Sequence, residues 1–183
     1  MTRIPTPATI EAAPAASQPL LQAVKKQLGV APNLFRLVAN SPAALTGYLG
    51  LSGALGKGEL PAATRERIAL AVAEINGCDY CLSAHTYLGR NVAKLDDAEI
   101  TANRSGASND PMADAAVRFA AKVTTLRGHV TDDDFKAVKA AGYTDAQIIE
   151  IVQHVALNTW TNYINTVGQT DIEFPVITAR KAA

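Results

Sequence analysis

Net charge is missing from this chain of 183 residues: 17 Lys and Arg offset 17 Asp and Glu, and the pI is near 6.8. Nucleic-acid phosphates and anionic lipid headgroups are held by a basic field, so neither a nucleic-acid nor a membrane partner is expected. Long apolar runs are missing too. Ile68 to Ala73 is typical of the longest, against the roughly 18 residues that a membrane-spanning helix needs. Pro5 and Pro7 interrupt the stretch where a signal peptide would carry an unbroken apolar segment, and the expected location is the cytoplasm. Cysteine is scarce, with Cys78 and Cys81 the only two. In a reducing compartment a lone Cys-x-x-Cys points to redox or metal chemistry rather than to a structural staple.

What is present is enough to fold. Hydrophobic residues make up 48% of the chain and charged residues 19%, and the length fits one domain. Residues 1–19 carry Pro5, Pro7, Pro14 and Pro19 amid Ala, Ser and Thr, which reads as an extended N-terminal arm available to pack on a neighbouring subunit. Residues 20–183 read as a single domain whose apolar residues recur at helical intervals. Gly29 ends a first short helix from Leu20, Pro32-Asn33 opens a second, and Ser41-Pro42 starts a third that runs to about Leu55. Arg65 to Ile75 is a helix with Ile68, Val72 and Ile75 as its buried stripe, stopped by Asn76-Gly77. Asp79 to Gly89 is the next, followed by a polar segment from Asp96 to Asp110, then helices over Pro111–Leu126, Thr131–Ala140 and Thr144 to about Val167. No convincing strand is found, and alanine, the best helix former, is the commonest residue. The fold class is all-α.

Cys78, Cys81 and His85 are three and then four residues apart, so they share one stripe of a helix that begins at or just before Cys78. A helix N-terminus favours a thiolate, and His85 stands one turn beyond Cys81 as a base. On this geometry alone Cys78 is the more acidic thiol. Two thiols so placed can close a disulfide, one attacking an oxidant and the other resolving the sulfenic acid before it over-oxidises. A pair of buried small hydrophobes, or a Cys-Cys-His-Glu metal site, remain alternatives.

The run from Glu66 to His85 resembles the signature of the carboxymuconolactone decarboxylase family, most of all its AhpD-like alkylhydroperoxidase branch, the peroxidase-related proteins. That signature is a glutamate, eleven residues, Cys-x-x-Cys and three residues before a histidine. Glu66, Cys78, Cys81 and His85 stand at those intervals. Leu28 to Leu34, Leu-Gly-Val-Ala-Pro-Asn-Leu, is also typical of the peroxidase-related members. The resemblance implies an AhpD-like helical fold with the Cys-x-x-Cys at the start of a central helix, homotrimers or hexamers, and reduction of organic hydroperoxides without a cofactor. By it Cys81 is the peroxidatic thiol, Cys78 resolves it, and Glu66 and His85 form the proton relay. A lipoylated or thioredoxin-like dithiol protein is the implied reductant. AhpD proteins proper tend to carry a histidine directly before the second cysteine, where this chain has Tyr80. The family's true decarboxylases lack the cysteine pair, which leaves a lactone-acid lyase as a minor alternative. Two further readings keep the cysteines but not the peroxide: general thiol-disulfide exchange, and a redox-responsive or metal-binding interaction module.

On the last helix, apolar residues from Ile148 to Ile164 nearly encircle the axis, as for a helix buried in the domain or between subunits. His154, Asn158, Asn162 and Asn165 form a polar stripe through them, a hydrogen-bonded seam or a lining of the thiol pocket. Tyr80, His154 and Asn158 are therefore candidates to support the site. Glu74 reads as a salt-bridge or capping residue, His129 as a helix-end cap, and Asp132 to Asp134 as the acidic first turn of a helix.

Overall fold

Ile68, Ala69, Leu70, Ala71, Val72 and Ala73 are consecutive, and none is more than 2% exposed. A helix apolar around its whole circumference must be surrounded on every side, so the helix that carries them, Ala62–Asn76, is the centre of the molecule. The computed structural model describes residues 2–180. Among them it has a 3-10 turn at Ala15–Ser17 and nine α-helices: α1 (Gln18–Leu28), α2 (Asn33–Val38), α3 (Pro42–Leu55), α4 (Ala62–Asn76), α5 (Asp79–Asn91), α6 (Asp97–Arg104), α7 (Pro111–Thr125), α8 (Asp132–Ala140) and α9 (Asp145–Gly168). No strand occurs among the described residues. α5, α6, α7 and α9 all pack on α4, and its alanines, with no side chain beyond Cβ, let them approach closely.

α4 divides the core in two. Leu70 faces Leu21, Leu37, Leu45 and Leu82 on one side, and Ile68 and Val72 face Ala116, Phe119, Val138 and Ile151 on the other. Truncating a fully buried side chain such as Leu70 to alanine costs about 2–5 kcal/mol. Helix ends follow the capping chemistry of the sequence. Gly29 and Gly77 adopt positive φ at the ends of α1 and α4, and Ser41, Asp110, Thr131 and Thr144 accept backbone N–H bonds at the starts of α3, α7, α8 and α9. Thr131 and Asp134 close a capping box, which accounts for the acidic run there.

Three readings of the sequence need correction. The stretch Asp96–Asp110, taken as a polar segment, contains α6. Its short charged sequence has little apolar periodicity, and it is fastened by a buried carboxylate instead. Glu99 accepts from Arg67 Nε at 2.6 Å, Asn103 Nδ2 at 2.9 Å, Ser108 Oγ and the Asn109 N–H at 2.7 Å. Burial raises this carboxyl's pKa, but the four hydrogen bonds outweigh it and hold the group at about 2. Ile75 is exposed rather than buried, because the last turn of α4 emerges from the core. Within the chain the N-terminal arm is tied down by hydrogen bonds, Arg3 N–H donating to Gly168 O, Asn40 Nδ2 to Pro5 O, and Ser17 Oγ to Ala39 O. Finally, His129 is exposed and makes no side-chain hydrogen bond among the described residues. Met1 and residues 181–183, the outer ends of the arm and domain spans, lie outside the described residues.

α9 is not encircled within the chain. Its inner face is buried against α4, while Ile149, Val152, Trp160, Tyr163 and Val167 form an exposed stripe at three- and four-residue spacing. No helix among the described residues is long and apolar enough to cross a membrane.

Candidate active site

Gly77 is what sets the cysteines in place. With φ at +68° it turns the chain out of α4, while the Cys78 N–H donates back to Ala73 O at 3.0 Å. Cys78 is thereby the N-cap of α5, its Sγ accepting the Cys81 N–H at 3.2 Å. Cys78 and Cys81 are joined in a disulfide across this first turn, their Cα atoms 5.3 Å apart. Both are buried, at 1% and 3% exposure.

Glu66, one turn into α4, meets His85 on α5: Glu66 Oε2 and His85 Nδ1 are 2.8 Å apart, each side chain about one-fifth exposed (23% and 22%). With Nδ1–H donating to the carboxylate, Nε2 keeps its lone pair and can act as a base. Glu66, His85 and Cys81 all line one cavity of about 1150 Å³, whose wall does not include Cys78. The rest of the wall is largely apolar and aromatic, with Phe35, Tyr48, Leu157 and Phe174 prominent. Glu74, eight residues from Glu66, faces elsewhere, pairing with Arg104 at 2.5 Å and accepting the Arg180 N–H.

Tyr80 stands at the position before the second cysteine, and its hydroxyl is committed to two partners. It accepts the Leu34 N–H at 3.1 Å and donates to Glu173 Oε1 at 3.0 Å, with Phe174 edge-on to its ring. Burial pushes the phenol well above its ordinary pKa; the Leu34 N–H opposes this and the Glu173 carboxylate adds to it. Tyr80 is therefore a neutral clamp joining α5, α2 and the C-terminal segment. That segment also holds α5 through the Ile177 N–H on Ser83 Oγ at 2.9 Å and the Ala179 N–H on Asp79 Oδ1 at 2.8 Å.

The polar stripe of α9 is buried along its whole length, and its C-terminal end meets the cysteine turn. Asn162 Oδ1 accepts from Asn76 Nδ2 at 2.9 Å, just before the Gly77 turn, and Asn165 Nδ2 reaches Cys81 Sγ at 3.4 Å. His154, Asn158 and Asn165 line the cavity. Asn158 donates to His154 O within its own helix. His154 Nε2 is buried without a partner among the described residues. Burial, with help from Arg65, lowers the His154 pKa to about 4, against a smaller upward pull from Glu150 and Glu66. Of the stripe, Asn165 is the member in contact with sulfur. The sequence placed it on the right face by its spacing but offered nothing to single it out. Among the described residues, no three His, Cys, Asp or Glu side chains converge as a metal site.

Residues 42–125 match the carboxymuconolactone decarboxylase family. No curated protein matches the sequence. Among solved structures, the alkylhydroperoxidase AhpD core of an uncharacterized peroxidase-related protein from Ralstonia eutropha JMP134 superimposes with a TM-score of 0.83, at 25% identity, over 94% of this chain and 92% of that one. An uncharacterized peroxidase-related protein from Silicibacter sp. TM1040 gives a TM-score of 0.78 at 24% identity, over 92% and 89% of the two chains. The debrominase Bmp8 has the same fold, with a TM-score of 0.77 at 22% identity over 94% and 93%. The chain thus matches the carboxymuconolactone decarboxylase family over residues 42–125 and shares its all-helical fold with AhpD-like, peroxidase-related proteins.

Proposed function

We propose that the protein is a two-cysteine alkyl hydroperoxide reductase in which Cys81 attacks, Cys78 resolves, and Glu66 and His85 carry the proton. One observation carries this reading: of the two cysteines only Cys81 lines the cavity, and the Glu66–His85 pair lines the same cavity. In the reduced enzyme the Cys81 thiolate attacks the terminal oxygen of the hydroperoxide. The O–O bond breaks, the alcohol leaves with a proton supplied through His85, and Cys81 becomes a sulfenic acid. The Cys78 thiol then attacks Cys81 Sγ, water leaves, and the disulfide forms. A dithiol protein, lipoylated or thioredoxin-like, returns two electrons and two protons. A cavity of about 1150 Å³ with apolar and aromatic walls suits an organic hydroperoxide better than hydrogen peroxide. The exposed stripe on α9 supports assembly into a homo-oligomer, a trimer or hexamer, and cytoplasmic placement fits the dithiol chemistry.

A second reading has its own support. A cysteine-to-alanine variant of Bmp8 was crystallised with 2,3,4-tribromopyrrole, on the same fold at 21% identity, and the cavity here has aromatic walls. The same two thiols could replace a carbon–halogen bond by carbon–hydrogen, releasing halide and a proton as the disulfide forms.

The test mixes the reduced protein, and its Cys81→Ser variant, with one equivalent of tert-butyl hydroperoxide while free thiols and intact mass are followed. Rapid loss of both thiols and of two hydrogens in the wild type alone is the expected result. Thiols that survive the hydroperoxide but are consumed by a bromopyrrole would select dehalogenation, and thiols inert to both would overturn the two readings.

A further inference from the structure

A thiolate at Cys81 is poorly provided for by its surroundings. The sulfur is buried, which disfavours charge, and the backbone N–H of Cys81 is used by Cys78 Sγ. Among the described residues one side-chain donor reaches Cys81 Sγ, the Asn165 amide at 3.4 Å. Asn165 is itself 3% exposed, so its N–H is spared competition from bulk water.

Its position is fixed from three sides. Asn165 O accepts the N–H groups of Gln169 and Thr170 at the left-handed end of α9. The adjoining Gly168 rests against Leu37 so closely that an added Cβ would lie 2.8 Å from Leu37 Cδ1. Three residues back, Asn162 holds Asn76 at the entrance to the cysteine turn. α9 therefore grips the Cys-x-x-Cys at both ends. Orientation follows from chemistry: a sulfur lone pair is met by the amide N–H, which leaves Asn165 Oδ1 as the other arm. That oxygen is buried, without a partner among the described residues, on a residue of the cavity wall. An unsatisfied buried acceptor beside the reacting atom is a place for a ligand's donor.

The geometry points to Asn165 as a catalytic residue of this chain: its Nδ2–H stabilises the Cys81 thiolate, and its Oδ1 accepts the O–H of the incoming hydroperoxide, setting the terminal oxygen against Sγ. The first half concerns the thiol alone; the second rests on the peroxidase reading. Bonds made and broken are those of the peroxidase cycle, and the amide is unchanged by it.

The experiment is run in a Cys78→Ser background, where serine can still cap α5 and Cys81 is the single thiol. The rate of Cys81 alkylation by iodoacetamide is measured against pH for Asn165, Asn165→Leu and Asn165→Asp, with near-ultraviolet circular dichroism as a check on packing. Leucine removes the donor with the same branching and number of heavy atoms, and the half-titration point is expected to rise by about one pH unit, a roughly tenfold smaller thiolate fraction at neutral pH. Aspartate adds like charge and should raise it further. A purely structural role would give both variants the wild-type alkylation profile, or the same altered one. The order Asn, Leu, Asp supports the assignment. An unmoved midpoint in a natively packed Asn165→Leu protein overturns it, as does a midpoint for Asp at or below that for Leu. Alkylation needs no peroxide, so a wild-type protein that fails to consume hydroperoxide refutes the peroxidase reading and the Oδ1 half without touching the thiolate result. For the Oδ1 half, Asn165→Ser, compared at pH values giving equal thiolate fractions, should oxidise with hydroperoxide at least tenfold more slowly than wild type; equal rates overturn that half.

Discussion

Glu66 and His85 come from two different helices and meet at 2.8 Å beside the cavity onto which Cys81 opens. α4 is held by the core on all sides and α5 begins only three residues after α4 ends, so the pair is positioned by the rigid centre of the fold. Glu66→Gln keeps the shape but not the charge, and His85→Asn removes the base. Each is expected to slow hydroperoxide-driven disulfide formation by about 10²–10⁴-fold. Stopped-flow tryptophan fluorescence of the reduced proteins gives the rates, and unchanged rates in both variants would remove the relay.

The two cysteines should fail differently. Cys81→Ser is expected to leave Cys78 inert to hydroperoxide. Cys78→Ser should gain one oxygen at Cys81 and then, with excess oxidant, further oxygens, because no resolving thiol is present. Intact-mass spectrometry after dimedone trapping distinguishes these products. Trapping at Cys78 in the Cys81→Ser protein would reverse the assignment.

His154 gives a pH dependence with a definite sign. Its folded pKa, about 4, lies below the 6.5 of an unperturbed histidine. Between those values the unfolded chain binds a proton that the native protein does not, so stability falls as pH drops from 6.5 to 4 and is fully present above 6.5. The loss attributable to this group is roughly 2–3 kcal/mol. Urea midpoints of wild type and His154→Gln across that window should converge toward low pH, and parallel curves would refute the account.

Tyr80→Phe removes the hydroxyl that joins Leu34 N–H to Glu173. A buried backbone donor is left unpaired, at a cost of about 1–3 kcal/mol. Faster amide exchange at Leu34 and earlier proteolytic cutting within 171–180 should accompany the lower urea midpoint. Wild-type exchange at Leu34 would show the clamp to be idle.

The apolar stripe on α9 makes assembly testable. A double variant, Ile149→Glu with Tyr163→Glu, alters residues that are 66% and 58% exposed in the single chain and so should fold, yet it should sediment as a smaller species than wild type. Equal masses by analytical ultracentrifugation would rule out this face as the contact.

Much of this was written in local sequence. Glycines and prolines, with Ser, Asp and Thr caps, marked most helix ends, because a cap or a left-handed turn is satisfied within a few residues. The alignment of Cys78, Cys81 and His85 followed from helical periodicity, and Glu66 from the resemblance. α6 escaped because its stability rests on Glu99, whose partners Arg67, Asn103, Ser108 and Asn109 include a residue 32 positions away. Periodicity reports burial of apolar faces and says nothing of a carboxylate buried by hydrogen bonds.

The sequence by itself determined the all-helical class, the cysteine turn at the start of α5 and the polar stripe on the last helix, since each depends on spacing along one segment. Only the tertiary structure decided that Cys81 and not Cys78 meets the cavity, that Tyr80 is tied to Leu34 and Glu173, and that Asn165 is the stripe residue in contact with sulfur. Those facts depend on how α9, α2 and the C-terminal segment pack around α4 and α5, and contacts between residues as far apart as 81 and 165 are fixed by that packing.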